Sequence, residues 1–71
     1  MKEYTVLLTW DDEAQVWVAE NDNIPIALES ESFDTLIERV RHTVPEVLQD
    51  NGKNADVFLN FITHRREKAY A

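Results

Sequence analysis

The sequence predicts an α+β domain in which one helical segment covers one side of a four-stranded mixed sheet. Two patterns predict it. Three stretches of strand character precede one long stretch of helical period, and a further strand-like stretch follows it. Chain length adds the scale, because 71 residues fill one domain and bury only roughly 60% of the unfolded chain's surface. One glycine and two prolines leave no linker, and no repeat or low-complexity stretch appears, so residues 1–71 are expected to form a single unit.

The first strand runs over Tyr4 to Trp10. Tyr4, Val6, Leu8 and Trp10 fall on one side and Thr5, Leu7 and Thr9 on the other, with β-branched and aromatic types at period two. Asp11-Asp12-Glu13-Ala14 reads as a polar, solvated hairpin connection, and Val16 to Ala19 as the antiparallel return strand. A short third strand is expected from Ile26 to Glu29. Pro25 just before it lacks an N–H for a ladder, which suits a strand start or an edge.

The period then changes. Phe33, Leu36, Ile37, Val40, Val44, Val47 and Leu48 recur every three or four residues, with Asp34, Glu38, Arg39 and Arg41 between them, as in an amphipathic helix. Ser32 is placed to cap its first turn, Asp34 sits near the positive end of the dipole, and Gly52 can take the left-handed conformation that ends it. Pro45 interrupts the pattern, since proline inside a helix removes a hydrogen bond and clashes with the preceding turn at a cost of about 3 kcal/mol. The apolar stripe continues beyond it, so the expectation is a kinked helix or two short helices, the second capped by Thr43 or Val44. The last strand spans Asp56 to Thr63, with Val57, Leu59 and Phe61 alternating against Phe58, Asn60 and Ile62.

A right-handed crossover from the third strand to the fourth sets the fourth beside the first, for a sheet order of 3-2-1-4. One helix covers one face only, and the other must meet water or another chain. With Val6, Leu8, Val16, Val18, Val57, Leu59 and Phe61 assigned to the covered face, the bare face retains Leu7, Trp17, Phe58 and Ile62. These four are the candidate interface. Trp10 is expected to plug the end of the core. A small, half-bare domain without disulfides points to a homodimer or higher homo-oligomer.

Chemistry-bearing groups are sparse. There is no cysteine, and the two histidines, His42 and His64, lie far apart in sequence, so no zinc-ligand spacing exists. Ser30 and Ser32 flank the helix start, where capping accounts for them. Gly52 alone cannot build a phosphate loop. Asp11, Asp12 and Glu13 lack calcium-loop spacing. Glu20, Asp22, Glu29 and Asp11 are the carboxylates from which a small metal-dependent nuclease would be assembled, the least favoured alternative. The expectation is therefore a non-enzyme with no cofactor and no metal.

Seven basic residues stand against fourteen acidic ones, a net charge of −7, which opposes direct nucleic-acid binding and suits a basic protein partner. Three of the seven cations, Arg65, Arg66 and Lys68, fall in the last eight residues and read as a solvated basic tail. No apolar run resembles a signal peptide or a membrane span, so a cytoplasmic location without membrane contact is expected.

Tyr4-Thr5-Val6-Leu7-Leu8, the acidic turn and Val16-Trp17-Val18-Ala19-Glu20 resemble the opening hairpin of the HicB-like antitoxin family. Asn23-Ile24-Pro25 is similar to that family's Leu-Pro element, and Ser32-Phe33-Asp34-Thr35-Leu36-Ile37-Glu38 to its helix opening. The likeness covers roughly residues 4 to 62, with two local departures: no Asp-Gly in the hairpin turn, and Ile26 after Pro25 where the family often has glycine. The resemblance implies a β-β-β-α-β partial ribonuclease-H-like fold without nuclease activity. It also implies an antitoxin role, in which the domain binds a small basic RNA-cleaving toxin and blocks its active site. Family members usually carry a C-terminal DNA-binding module; with eight residues after Thr63, the chain is expected to represent a short branch without it. A self-associating structural protein is the alternative.

Overall fold

The computed structural model describes residues 2–70. Along the chain come β1 (Glu3–Asp11), β2 (Val16–Glu20), β3 (Ala27–Ser30), the helix α1 (Phe33–Asp50) and β4 (Phe58–His64). The four strands form one sheet in the order β3-β2-β1-β4. β2 is antiparallel to both β1 and β3, while β4 lies parallel to β1. This is the α+β, mixed-sheet arrangement that the two periodicities predict.

Local chemistry explains the elements. In the hairpin turn, the Asp11 Oδ1 accepts from the N–H groups of Glu13 (3.1 Å) and Ala14 (3.2 Å), and the Gln15 amide donates to the Asp12 carbonyl at 2.7 Å. Gln15 closes the turn in the left-handed region, at φ 57°, a place more often given to glycine or asparagine. The acidic cluster thus structures the turn as well as meeting water. Between β2 and β3, the Asn21 Oδ1 accepts from the N–H of Asn23 (2.7 Å) and Ile24 (2.8 Å), while its amide nitrogen donates to the Thr5 carbonyl. Ile26 N–H bonds Ile24 O at 2.7 Å across Pro25, a three-residue turn that proline's fixed φ suits. This pinned loop turns Ile24 and Ile26 into the core.

The helix is one unbroken element of 18 residues. The Ser32 hydroxyl accepts from the Thr35 N–H at 3.3 Å, as the capping assignment requires. At the other end, Gly52 N–H bonds Gln49 O (3.0 Å) and Lys53 N–H bonds Leu48 O (2.8 Å). With Gly52 at φ 69°, this is a Schellman motif. The chain does not divide at Pro45, and Thr43 and Val44 are helix interior rather than caps. Leu36, Val40, Val44 and Leu48, spaced four apart, are all buried, each contributing about 1.5–3 kcal/mol. This stripe on both sides of Pro45 outweighs the local penalty.

The core joins that stripe to Tyr4, Val6 and Leu8 of β1 and to Trp17 and Ala19 of β2. Here the structure departs from the expected side assignment. Trp10 pairs with Trp17 and Leu8 with Ala19, so β2 directs Trp17 and Ala19 toward the helix and Val16 and Val18 away from it. A one-residue change of register exchanges every side chain of a strand between faces. The assignment for β4 holds: Leu59 and Phe61 lie beside Tyr4 and Val6, and Phe58 and Ile62 face the other way.

Two substitutions test this account of the helix. Pro45→Ala restores a backbone donor without moving the stripe and should raise stability by about 1–3 kcal/mol in urea unfolding. Gly52→Ala should lower it by about 1 kcal/mol, wholly through backbone strain, because a Cβ there meets no atom within 4 Å.

Candidate functional site

Every strand alternates, so the side of the sheet opposite α1 is assembled from known positions. β1 contributes Glu3, Thr5, Leu7, Thr9 and Asp11; β2 contributes Val16, Val18 and Glu20. Ala27 and Glu29 of β3 and Phe58, Asn60, Ile62 and His64 of β4 complete it. No element crosses this face among the described residues. Leu7 lies in register between Glu20 and Ile62, and Thr9 between Val18 and His64. The face is therefore read in rows across the strands.

Apolar and acidic side chains are interleaved across it. Phe58 is 62% exposed, Ile62 50% and Leu7 36%, and Val16 and Val18 are half-buried. Exposed carboxylates stand directly beside them: Glu3 in register with Phe58, Glu20 with Leu7, Glu29 with Val18, and Asp11 with Val16 at the hairpin end. Large aromatic and aliphatic side chains left exposed together on one side mark a candidate contact surface.

Of the four interface candidates, Leu7, Phe58 and Ile62 are brought together here. Trp17 is not. It is 9% exposed and belongs to an aromatic stack at one end of the core, edge-on to Trp10 (5.4 Å between centroids) and to Phe33 (4.9 Å). Its place on the open face falls to Val18, which sequence reasoning assigned to the core. Val16-Trp17-Val18-Ala19 holds no polar residue to mark either side, and only the hairpin register distinguishes them.

Trp10 closes the end of the core as expected, yet the tail beside it is not merely solvated. The Arg65 guanidinium lies 4.1 Å from the Trp10 ring centroid and 5.4 Å from that of Trp17, within cation–π range. It is also bonded to the Glu67 carboxylate at 2.7 Å. The tail thereby lids the aromatic stack.

The acidic residues weighed for catalysis are dispersed. Glu20 and Asp22 line a cleft of about 410 Å³ with Glu3, next to the 21–23 loop. Glu29 and Asp11 do not line it. Among the described residues, no three His, Asp or Glu side chains are arranged to hold a metal ion. Nor is any helix there long and apolar enough to cross a membrane.

Residues 3–71 match the family described as a domain of unknown function, DUF1902, and the chain belongs to that family. It is also similar to the crystal structure of a hypothetical protein from the extremely thermophilic bacterium Thermus thermophilus. The two are 34% identical with a TM-score of 0.79, over 96% of this chain and 100% of that one. No curated protein matches the sequence.

The placement of Trp17 has a direct energetic test. Trp17→Ala should cost about 3–5 kcal/mol, a large share of what a small domain has. Leu7→Ala on the open face should cost about 1 kcal/mol or less. Denaturant unfolding followed by far-UV circular dichroism separates the two; equal losses would return Trp17 to the surface.

Proposed function

We propose that the open sheet face is a docking surface for another protein. On this reading the chain acts as a HicB-like antitoxin or antitoxin-derived interaction domain that binds and neutralises a small basic RNA-cleaving toxin. The observation that carries the proposal is an uncovered face on which the apolar Leu7, Val18 and Phe58 each stand in register beside an exposed glutamate, Glu20, Glu29 and Glu3, with Ile62 next to Leu7. A protein that cleaves RNA needs cations to hold the phosphate backbone. Carboxylates interleaved with apolar side chains suit those same cations and steer the encounter, while the apolar side chains supply the water-excluding contacts. The resemblance of the hairpin, of the Asn23-Ile24-Pro25 step and of the helix opening supports the same role. Such a protein acts by occlusion, so no catalytic residue, cofactor or metal is assigned to it, and its place of work is the cytoplasm, where the toxin's substrate is.

The test uses the protein encoded by the reading frame adjacent to this one. That protein should be small and basic, should arrest growth when expressed alone, and should be silenced by co-expression of this chain. In surface plasmon resonance the Glu20→Lys/Glu29→Lys double variant should slow association by about tenfold or more at low salt, and Leu7→Ala should speed dissociation. A neighbour without toxicity, or a complex indifferent to all three changes, would overturn the assignment.

A further inference from the structure

The two edges of the sheet are not alike. β3 is four residues long, follows closely on Pro25, and has its Glu29 carbonyl occupied by the Arg39 guanidinium at 2.7 Å. Short length, a nearby proline and a covering charge are the usual ways an edge is kept from pairing. β4 has none of them. It runs for seven residues, Phe58–His64, with neither proline nor lysine, and no charged side chain precedes His64.

Its backbone is also oriented for pairing. Phe58 donates its N–H to Lys2 O at 3.0 Å, toward β1. By two-residue alternation, Asn60 and Ile62 also turn their peptide groups to β1, and Leu59, Phe61 and Thr63 turn theirs outward. The side-chain sequence Phe58-Leu59-Asn60-Phe61-Ile62 reads apolar, apolar, polar, apolar, apolar in either direction.

We propose that this edge pairs with the same edge of a second copy of the chain, antiparallel, about a two-fold axis through Asn60. In that register Leu59 and Phe61 of one copy exchange backbone hydrogen bonds with Phe61 and Leu59 of the other. Phe58 faces Ile62 on the open side, and Asn60 faces Asn60. Every apolar side chain of the segment meets an apolar one. Centring on Phe61 instead would set Phe58 against His64 and Ile62 against Asn60. At the flanks the same register sets His64 of each copy beside Asp56 of the other, and no carboxylate of one copy faces a carboxylate of the other across the paired strands. The result is a continuous eight-stranded sheet with an isologous interface. The inference stands without the antitoxin reading, since it concerns a different surface and a different partner.

The chain contains no cysteine, so single-cysteine variants test the register directly. Across the axis two residues at position 60 form a non-hydrogen-bonded pair with Cα atoms about 4.5 Å apart, within the span of a disulfide of about 4.4–6.8 Å. Asn60→Cys should therefore cross-link to a dimer under mild oxidation. Ile62→Cys, on the same face, should not, because its counterpart lies four residues further along the strand, about 13 Å away. The expected difference in rate is about tenfold or more, from the high effective concentration of the paired thiols. Light scattering of the unmodified protein should give a dimer. A monomer throughout the micromolar range would overturn the proposal. So would Ile62→Cys cross-linking as fast as Asn60→Cys, which would indicate face-to-face stacking.

Discussion

The width of one helix against the width of four strands governs this molecule. A helix with its side chains is about 10 Å across, whereas four strands spaced about 4.8 Å apart span about 15 Å between the outermost. A single helix seals two or three strands. Here α1 packs against β2 and β3, its stripe closing over the fully buried Val6 and Leu8 of the central β1. β4 is left at the margin: Leu59 and Phe61 are half-buried on the helix side, and Phe58 and Ile62 are exposed on the other. The mismatch leaves the rim of β4 unsatisfied, and the lack of a second layer among the described elements leaves the other side of the sheet bare. The loop that brings in Ile24 and Ile26 and the tail that sets Arg65 over Trp10 compensate at the ends of the core. Neither crosses the open side.

Much of this architecture was legible because polar and apolar residues alternate with contrast where it counts. In β1 the even positions are large and apolar and the odd ones mostly small or polar, so the period and the buried side are both unambiguous. The helix announces itself by a four-residue spacing, a serine at its start and the single glycine beyond its end. β2 resisted because Val16, Trp17, Val18 and Ala19 are apolar without interruption. Its orientation is set by the turn, in which Asp11 faces Val16 across four intervening residues and Gln15 adopts a left-handed conformation. Nothing in the composition of that turn marks a left-handed position, as glycine would have done. Ile24 was missed for a related reason: it is buried from a loop whose path depends on Asn21 accepting two backbone N–H groups, a contact with no periodic trace. Three of the four residues taken for the bare side were thus correct, and the fourth, Trp17, was misplaced by register alone.

The charge distribution acquires meaning only once the fold separates its parts. A net charge of −7 says little by itself, since most surface carboxylates are simply solvated. Some are committed locally: the Asp11 carboxylate accepts from the turn's N–H groups, that of Asp12 from the Trp10 indole and the Gln15 amide, and Glu38 pairs with Arg41 along the helix at 2.7 Å. Glu3, Glu20 and Glu29 have no such partner among the hydrogen bonds and ion pairs of the described residues, yet alternation directs all three to the side of the sheet without a helix. Burying a carboxylate is costly unless a cation meets it. On the proposed reading, a partner that buried them would bring positive charge.

The two surfaces also constrain one another. A two-fold axis normal to the sheet leaves both open sides pointing the same way, so edge pairing through β4 would not bury Leu7 or Val18. It would instead bring Phe58 and Ile62 of the two copies side by side at the middle of one broad sheet, with Leu7 a strand further out on either hand. The paired face would then carry two apolar rows, each of Leu7 and Ile62 from one copy and Phe58 from the other, on either side of a polar row of Thr5 and Asn60. Each apolar row would end on Glu3 beside Phe58 at one side and on Glu20 beside Leu7 at the other. The proposed self-pairing and the proposed recognition thus use adjoining surfaces of one half-covered sheet, and pairing at the rim would leave the open face free for a partner.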